Sequence, residues 1–179
     1  SNPFFAQSTL ALQAPAFDQI KDEHYLPAFE EGMKQQLAEI RAIADNPEPA
    51  SFDNTIVAME RSGALLYRVS KVFFNMSASN TNETIQKIEA EVAPKLAAHQ
   101  DEIALDGKLF ARVKAIYDAR DTLGADPEAK RLVERYQQQF VRAGALLDET
   151  SKAQLRKVNE ELSNLQTKFG ENLLKEVND

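Results

Sequence analysis

The 179-residue chain has no cysteine, no tryptophan, two histidines, six glycines and no long uninterrupted apolar run. Each shortage removes a class of protein. Without cysteine these residues can form no disulfide framework, no thiolate metal site and no cysteine nucleophile, and the chain suits a reducing cytoplasm. No stretch approaches the roughly 18 apolar residues of a membrane span. The N-terminus lacks the charged-then-apolar pattern of a secretory signal. β-branched residues never gather into alternating runs, so nothing points to strands.

What is abundant is Ala, Leu, Glu, Lys, Gln and Arg, the strong helix formers. Hydrophobic residues at 43% and charged residues at 27% give an ordinary globular balance, which argues against disorder. Twenty-eight acidic residues against 21 basic ones leave a net charge of −7. Such a surface repels phosphate backbones and anionic lipid heads, so no nucleic acid and no membrane partner is expected. The basic residues are scattered singly and form no stripe. The fold class expected is all-α: about six helices in an antiparallel bundle, without sheet.

Ser1-Asn2 has the look of a tag-removal scar and is set aside. Residues 1–20 read as an irregular lead-in, because Pro3 and Pro15 remove backbone donors and no helical period is present. Its Phe4, Phe5, Leu10, Leu12 and Phe17 are apolar enough to dock. Residues 21–179 read as one helical domain, with no linker and no internal repeat. The first helix runs from Lys21 or Glu23 to Ala44, with Pro27 tolerated only in its first turn. Phe29, Met33, Leu37, Ile40 and Ile43 form its inner face, and Asn46-Pro47-Glu48-Pro49 ends it. Ser51-Phe52-Asp53-Asn54 caps a second helix whose stripe is Ile56, Met59, Leu65, Leu66, Val69, Val72, Phe73 and Met76. Gly63 is read there as a tolerated glycine, with a bend or a close contact as the alternative.

Ser79-Asn80-Thr81-Asn82 caps the next pattern, Ile85, Ile88, Val92, Leu96, His99 and Ile103. Pro94 falls within it and predicts a kink or a break. Asp106 caps a fourth helix, with Leu109, Val113, Ile116 and Tyr117 inward and Gly124 as terminator. Asp126-Pro127 starts a fifth, presenting Leu132, Val133, Tyr136, Phe140 and Leu146 or Leu147. The last carries Leu155, Val158, Leu162, Leu165, Phe169 and Leu173 at near-heptad spacing. It is expected to close on the fifth as a long antiparallel hairpin.

Chemistry is hard to place on this chain. A zinc peptidase helix needs His-Glu-x-x-His, two imidazoles one turn apart with the Glu polarising water. His24 is followed by Tyr25 and His99 by Gln100, so neither opens that motif. A di-iron bundle needs Glu-x-x-His, but Lys21 and Leu96 stand three residues before the histidines. His99, on an apolar face, reads as an interior or boundary histidine. No Gly-x-Ser-x-Gly elbow and no glycine-rich phosphate loop occurs. Glu30-Glu31 and Glu160-Glu161 read as solvated helix faces, and Phe73-Phe74 with Tyr25 and Phe29 as packing. No catalytic, cofactor-binding or metal-binding residue is assigned.

Several strings nevertheless stand in a telling order. They are His24-Tyr25-Leu26-Pro27-Ala28-Phe29-Glu30-Glu31-Gly32-Met33, Phe52-Asp53-Asn54-Thr55-Ile56, Phe73-Phe74-Asn75-Met76 and Thr81-Asn82. Phe140-Val141-Arg142-Ala143-Gly144-Ala145-Leu146-Leu147, Asn159-Glu160-Glu161-Leu162 and Phe169-Gly170-Glu171-Asn172-Leu173-Leu174 follow. From Asn2 to Asp179 the chain resembles the N-terminal region of the thimet oligopeptidase family of zinc peptidases, above all its bacterial peptidyl-dipeptidase branch, with the oligopeptidase A branch as the alternative.

The resemblance implies a longer parent chain that hydrolyses short peptides, releasing C-terminal dipeptides. Its zinc ligands and His-Glu-x-x-His helix would lie beyond this sequence. Oligopeptides and the missing catalytic half are then the expected partners, with self-association of the fragment open. This segment would form part of the wall and roof that narrow a peptide channel, and would be inactive alone. The alternative is a free-standing helical interaction module. A hydrolase working through its own carboxylates is a distant third.

Overall fold

The computed structural model describes residues 2–122 and 126–178. Among them there is helix and no strand, as composition leads one to expect. The elements are α1 (Tyr25–Ala44), α2 (Ala58–Arg61), α3 (Ala64–Ser79), α4 (Glu83–Ala104), α5 (Gly107–Asp118), α6 (Pro127–Arg142) and α7 (Glu149–Asn178). The six longer ones correspond to the six expected. These residues gather into two compact units. Unit 1 takes residues up to 36, then 63–97, then those from 160 onward; unit 2 takes 37–62 and 98–159.

In unit 1 the start of α1 lies against α3. Gly32 makes this possible: a Cβ there would stand 2.9 Å from both the Cα and the N of Leu66, a distance at which backbone must move. The close approach brings Phe29 and Phe73 edge to face at 5.3 Å, and Tyr25 onto Phe73 at 5.0 Å. Phe29, Phe73 and Val69 are fully buried there. Such aromatic pairs add about 0.5–1.5 kcal/mol each beyond the area they bury. Tyr25, Phe29 and Phe73 are thus core, as their spacing indicates, whereas Phe74 stays exposed at the edge of the cluster, against Phe29 and Phe73.

The turn into α3 corrects the reading of Gly63. One helix does not continue through it. After the wide π-type segment Phe52–Val57 and the short α2, the chain breaks at Ser62, and Gly63 takes a left-handed φ of 73° as N-cap of α3. That region is strained for any residue with a Cβ. A Cβ would also meet Gln36 at 2.4 Å.

The lead-in is partly ordered into single 3-10 turns at Pro3–Phe5 and Ala11–Gln13. Of its five apolar residues only Phe4 docks, against Tyr25; Phe5, Leu10, Leu12 and Phe17 are exposed. Asn2, set aside in the sequence, belongs to the fold. Its Oδ1 accepts from the Phe4 N–H, and its Nδ2 donates to the His24 carbonyl at 2.8 Å. Asn82 caps α4 as expected, accepting from the Ile85 N–H at 2.9 Å. Pro94 does not break that helix, which runs on to Ala104.

Unit 2 packs Ile40, Ile43, Ile56, Met59, Leu109, Val113 and Val133 with the stacked rings of Phe110 and Phe140. Arg112 on α5 holds the loop before α2. Its Nη1 donates to the carbonyls of Asn46 and Glu48, Nη2 to Asn54 Oδ1 and Nε to Thr55 Oγ1. Ser51 and Asn54 cap one another reciprocally. Asp106 and Asp126 each accept at 2.8 Å from the amide three residues on. The terminator assigned to Gly124 lies outside the described residues.

α7 departs from expectation. α6 packs on α5, and the apolar seam of α7 remains open. Val158, Leu162, Leu165, Phe169 and Leu173 are 50–70% exposed. Leu146 and Leu147 are exposed as well. The half-buried side of α7 is instead largely polar, with Ser151, Leu155, Asn159, Ser163, Thr167 and Glu171 at four-residue intervals. Hydrogen bonding satisfies part of it, as where Asn159 Nδ2 donates to Asp101 Oδ1 at 2.8 Å. Of the six residues read as the seam of α7, Leu155 is half-buried and the other five are exposed.

Two glycine substitutions separate packing from propensity. Gly32→Ala forces a methyl onto the Leu66 backbone and should lower stability by about 1–3 kcal/mol, despite alanine's better helix propensity. Gly170→Ala on α7, where nothing lies within 4 Å, should raise it by about 0.5–1 kcal/mol. Urea unfolding of both variants checks the opposite signs.

Candidate functional site

The two histidines are the first candidates for chemistry, and the structure gives both local work. His24 ends the 3-10 turn before α1, and its Nδ1 accepts the Lys21 backbone N–H at 3.0 Å. A nitrogen so used has no lone pair left for a metal. His99 is buried on α4. Burial pushes its pKa down from the ordinary 6.5, while the nearby Glu102 carboxylate pulls weakly the other way. Among the described residues no group of three or more His, Asp or Glu is placed to hold a metal ion. The described residues therefore do not offer the donor set of a zinc site.

The carboxylates are likewise tied into the surface. Glu30 and Glu91 both accept from Lys95 Nζ at 2.8 Å, and Lys34 lies 3.7 Å from Glu31. Glu160 and Glu161 are exposed on α7. Tyr136 Oη donates to Glu60 Oε1 at 2.5 Å. Burial, then this bond, raises the Tyr136 pKa far above its usual value, which fixes the phenol as a donor.

What stands out is a surface. The stripe Val158, Leu162, Leu165, Phe169 and Leu173 advances by 4, 3, 4 and 4 residues along α7, close to the 3.5-residue period that keeps side chains on one seam. Isolated exposed leucines need no explanation, but an aligned row on one helix marks an interaction face. Five of the six residues read from the sequence as an apolar seam form this row, and Leu155 lies instead on the half-buried side. No helix among the described residues is long and apolar enough to cross a membrane.

No family model matches the chain. Over nearly its whole length it is similar to dipeptidyl carboxypeptidase of Escherichia coli strain K12. The two are 50% identical over 173 residues, covering 97% of this chain and 25% of that protein. Dipeptidyl carboxypeptidase of Salmonella typhimurium is 47% identical over 174 residues, 97% of this chain and 26% of that one. Probable cytosolic oligopeptidase A of Arabidopsis thaliana is 24% identical over 160 residues, 89% and 23% respectively. The chain spans about a quarter of the length of the curated relatives it matches. The resemblance to the N-terminal part of these peptidases stands.

The lowered pKa of His99 has a definite sign in stability. Below the ordinary value of 6.5 the unfolded chain takes up a proton that the folded chain refuses. Stability is therefore full above that pH and is lost as pH falls toward the folded pKa. Urea midpoints of the wild type should decline as pH falls below the ordinary value of 6.5, and His99→Gln should flatten that decline.

Proposed function

We propose that this chain serves as the N-terminal helical region of a longer zinc peptidase, walling part of a channel for short peptides and contributing no catalytic group itself. The activity of the relatives, release of dipeptides by a carboxypeptidase, then belongs to residues outside this chain. One observation carries most of this reading: the open apolar seam of α7, on a chain matching a quarter of each relative. A heptad-spaced stripe left in water is costly, at about 25 cal/mol for each Å² of apolar surface. Further polypeptide laid along α7 would remove that cost. A packed helical wall also selects peptides by size and shape, which needs no titrating group.

The alternative, a free-standing module that binds a partner helix on the same face, draws on the same stripe. Whether the reading frame runs on into His-Glu-x-x-His separates the two.

In solution the seam should bind an apolar dye such as ANS and promote self-association. Leu165→Glu with Phe169→Glu should reduce both, with stability changed by no more than about 0.5 kcal/mol per site because these positions are exposed. A monodisperse, dye-silent wild-type monomer would contradict the reading. The chain alone should not cleave blocked oligopeptides, with or without added zinc; turnover that survives contamination controls would overturn it.

A further inference from the structure

We propose that two copies of this chain pair through the exposed stripe of α7 as an antiparallel helical dimer, with Glu161 of each copy facing Lys168 of the other. The inference rests on the reading of that stripe as an interaction face. It adds the occupant taken by the chain on its own, and the direction and register of the pairing.

The edges of the stripe decide the direction. Glu161 and Lys168 are seven residues apart, two turns of helix, so they stand on one edge of the row. Asn159 and Gln166, also seven apart, stand on the other edge and carry no charge. Glu161 and Lys168 are exposed, and neither enters an ion pair among the described residues. In a parallel pair each edge meets the opposite edge of its partner. Glu161 would then face Gln166 and Lys168 would face Leu173, and both charges would go unmatched. In an antiparallel pair like edges meet. Glu161 then faces Lys168 twice, once on each side of the two-fold axis.

The register follows from the same residues. With Leu162 opposite the second copy's Leu165, Val158 falls opposite the second copy's Phe169. The smallest side chain of the row then meets the largest, and four apolar layers close. Slipping the pair by one heptad sets Lys168 against Lys168 in one direction and Glu161 against Glu161 in the other. Like charges so opposed are repelled, which selects against both slips. The first slip also puts Asn172 opposite Leu162. One register therefore satisfies the charges and the apolar layers together. A two-fold pairing of this kind is closed, since the stripe of each copy is spent on the other.

The test is sedimentation of the intact chain over a range of concentrations. Wild type should show a monomer–dimer equilibrium and nothing larger. Glu161→Lys and Lys168→Glu should each weaken the dimer about tenfold, because two facing pairs turn from attraction to repulsion. Both substitutions in one chain restore opposite charges across the interface and should return the dimer to within about twofold of wild type. Melting temperatures of the dilute monomers should match, because both positions are exposed.

Cross-linking reads the direction. The chain has no cysteine, so Val158→Cys and Phe169→Cys each add a single thiol. Oxidising the two variants together should give a disulfide-linked mixed dimer. Either alone should give none, since the pairing holds equivalent positions about 16 Å apart along the axis.

A wild-type monomer at every concentration would overturn the inference; if that monomer were also dye-silent, the function proposed above would fall with it. Association unmoved by charge reversal, not recovered by the double substitution, or cross-linking either cysteine variant with itself would overturn this inference alone.

Discussion

The close approach of α1 to α3 at Gly32 is the contact from which unit 1 is built. Two helix backbones separated by little more than van der Waals distance leave no room for even a methyl group between them. Phe29 and Met33, flanking Gly32 on α1, consequently reach Leu66, Val69 and Phe73 in one buried cluster. Phe4 closes that cluster from the lead-in, and Arg68, two residues beyond Leu66, is positioned to hold its carbonyl. The order of causes runs from one missing side chain to a helix pair, then to an aromatic core, then to a fastened N-terminal segment. Unit 2 is organised differently, around the Arg112 guanidinium, which satisfies the carbonyls of a loop that two prolines deprive of backbone donors.

α7 bears on function more than any titratable group. A helix normally turns its apolar stripe inward because removing that surface from water is the main driving force of folding. Here Ser163, Thr167 and Glu171 take the half-buried side, while Leu162, Leu165 and Phe169 face solvent. In the function proposed above, this stripe is the face that further polypeptide would cover.

The histidines illustrate how local geometry limits chemical possibility. His24 uses a ring nitrogen to finish a helix start, and His99 spends its buried position on packing, where neutrality is favoured. Neither arrangement is wasteful; each meets a structural need.

Period and capping residues by themselves determined the helical class, most helix starts and the inner faces of the helices before α7. Ser51, Asn82, Asp106 and Asp126 are local signals whose hydrogen bonds span only three residues, so neighbouring sequence suffices to read them. The likeness to a peptidase's N-terminal part was equally legible. Tertiary structure alone decided the break at Gly63, the continuity of α4 through Pro94, the docking of Phe4 but not Phe17, and the outward turn of the α7 stripe. These depend on which surfaces meet across long stretches of chain. A stripe of leucines states that it needs a partner; only the arrangement of the other helices determines whether this chain provides one.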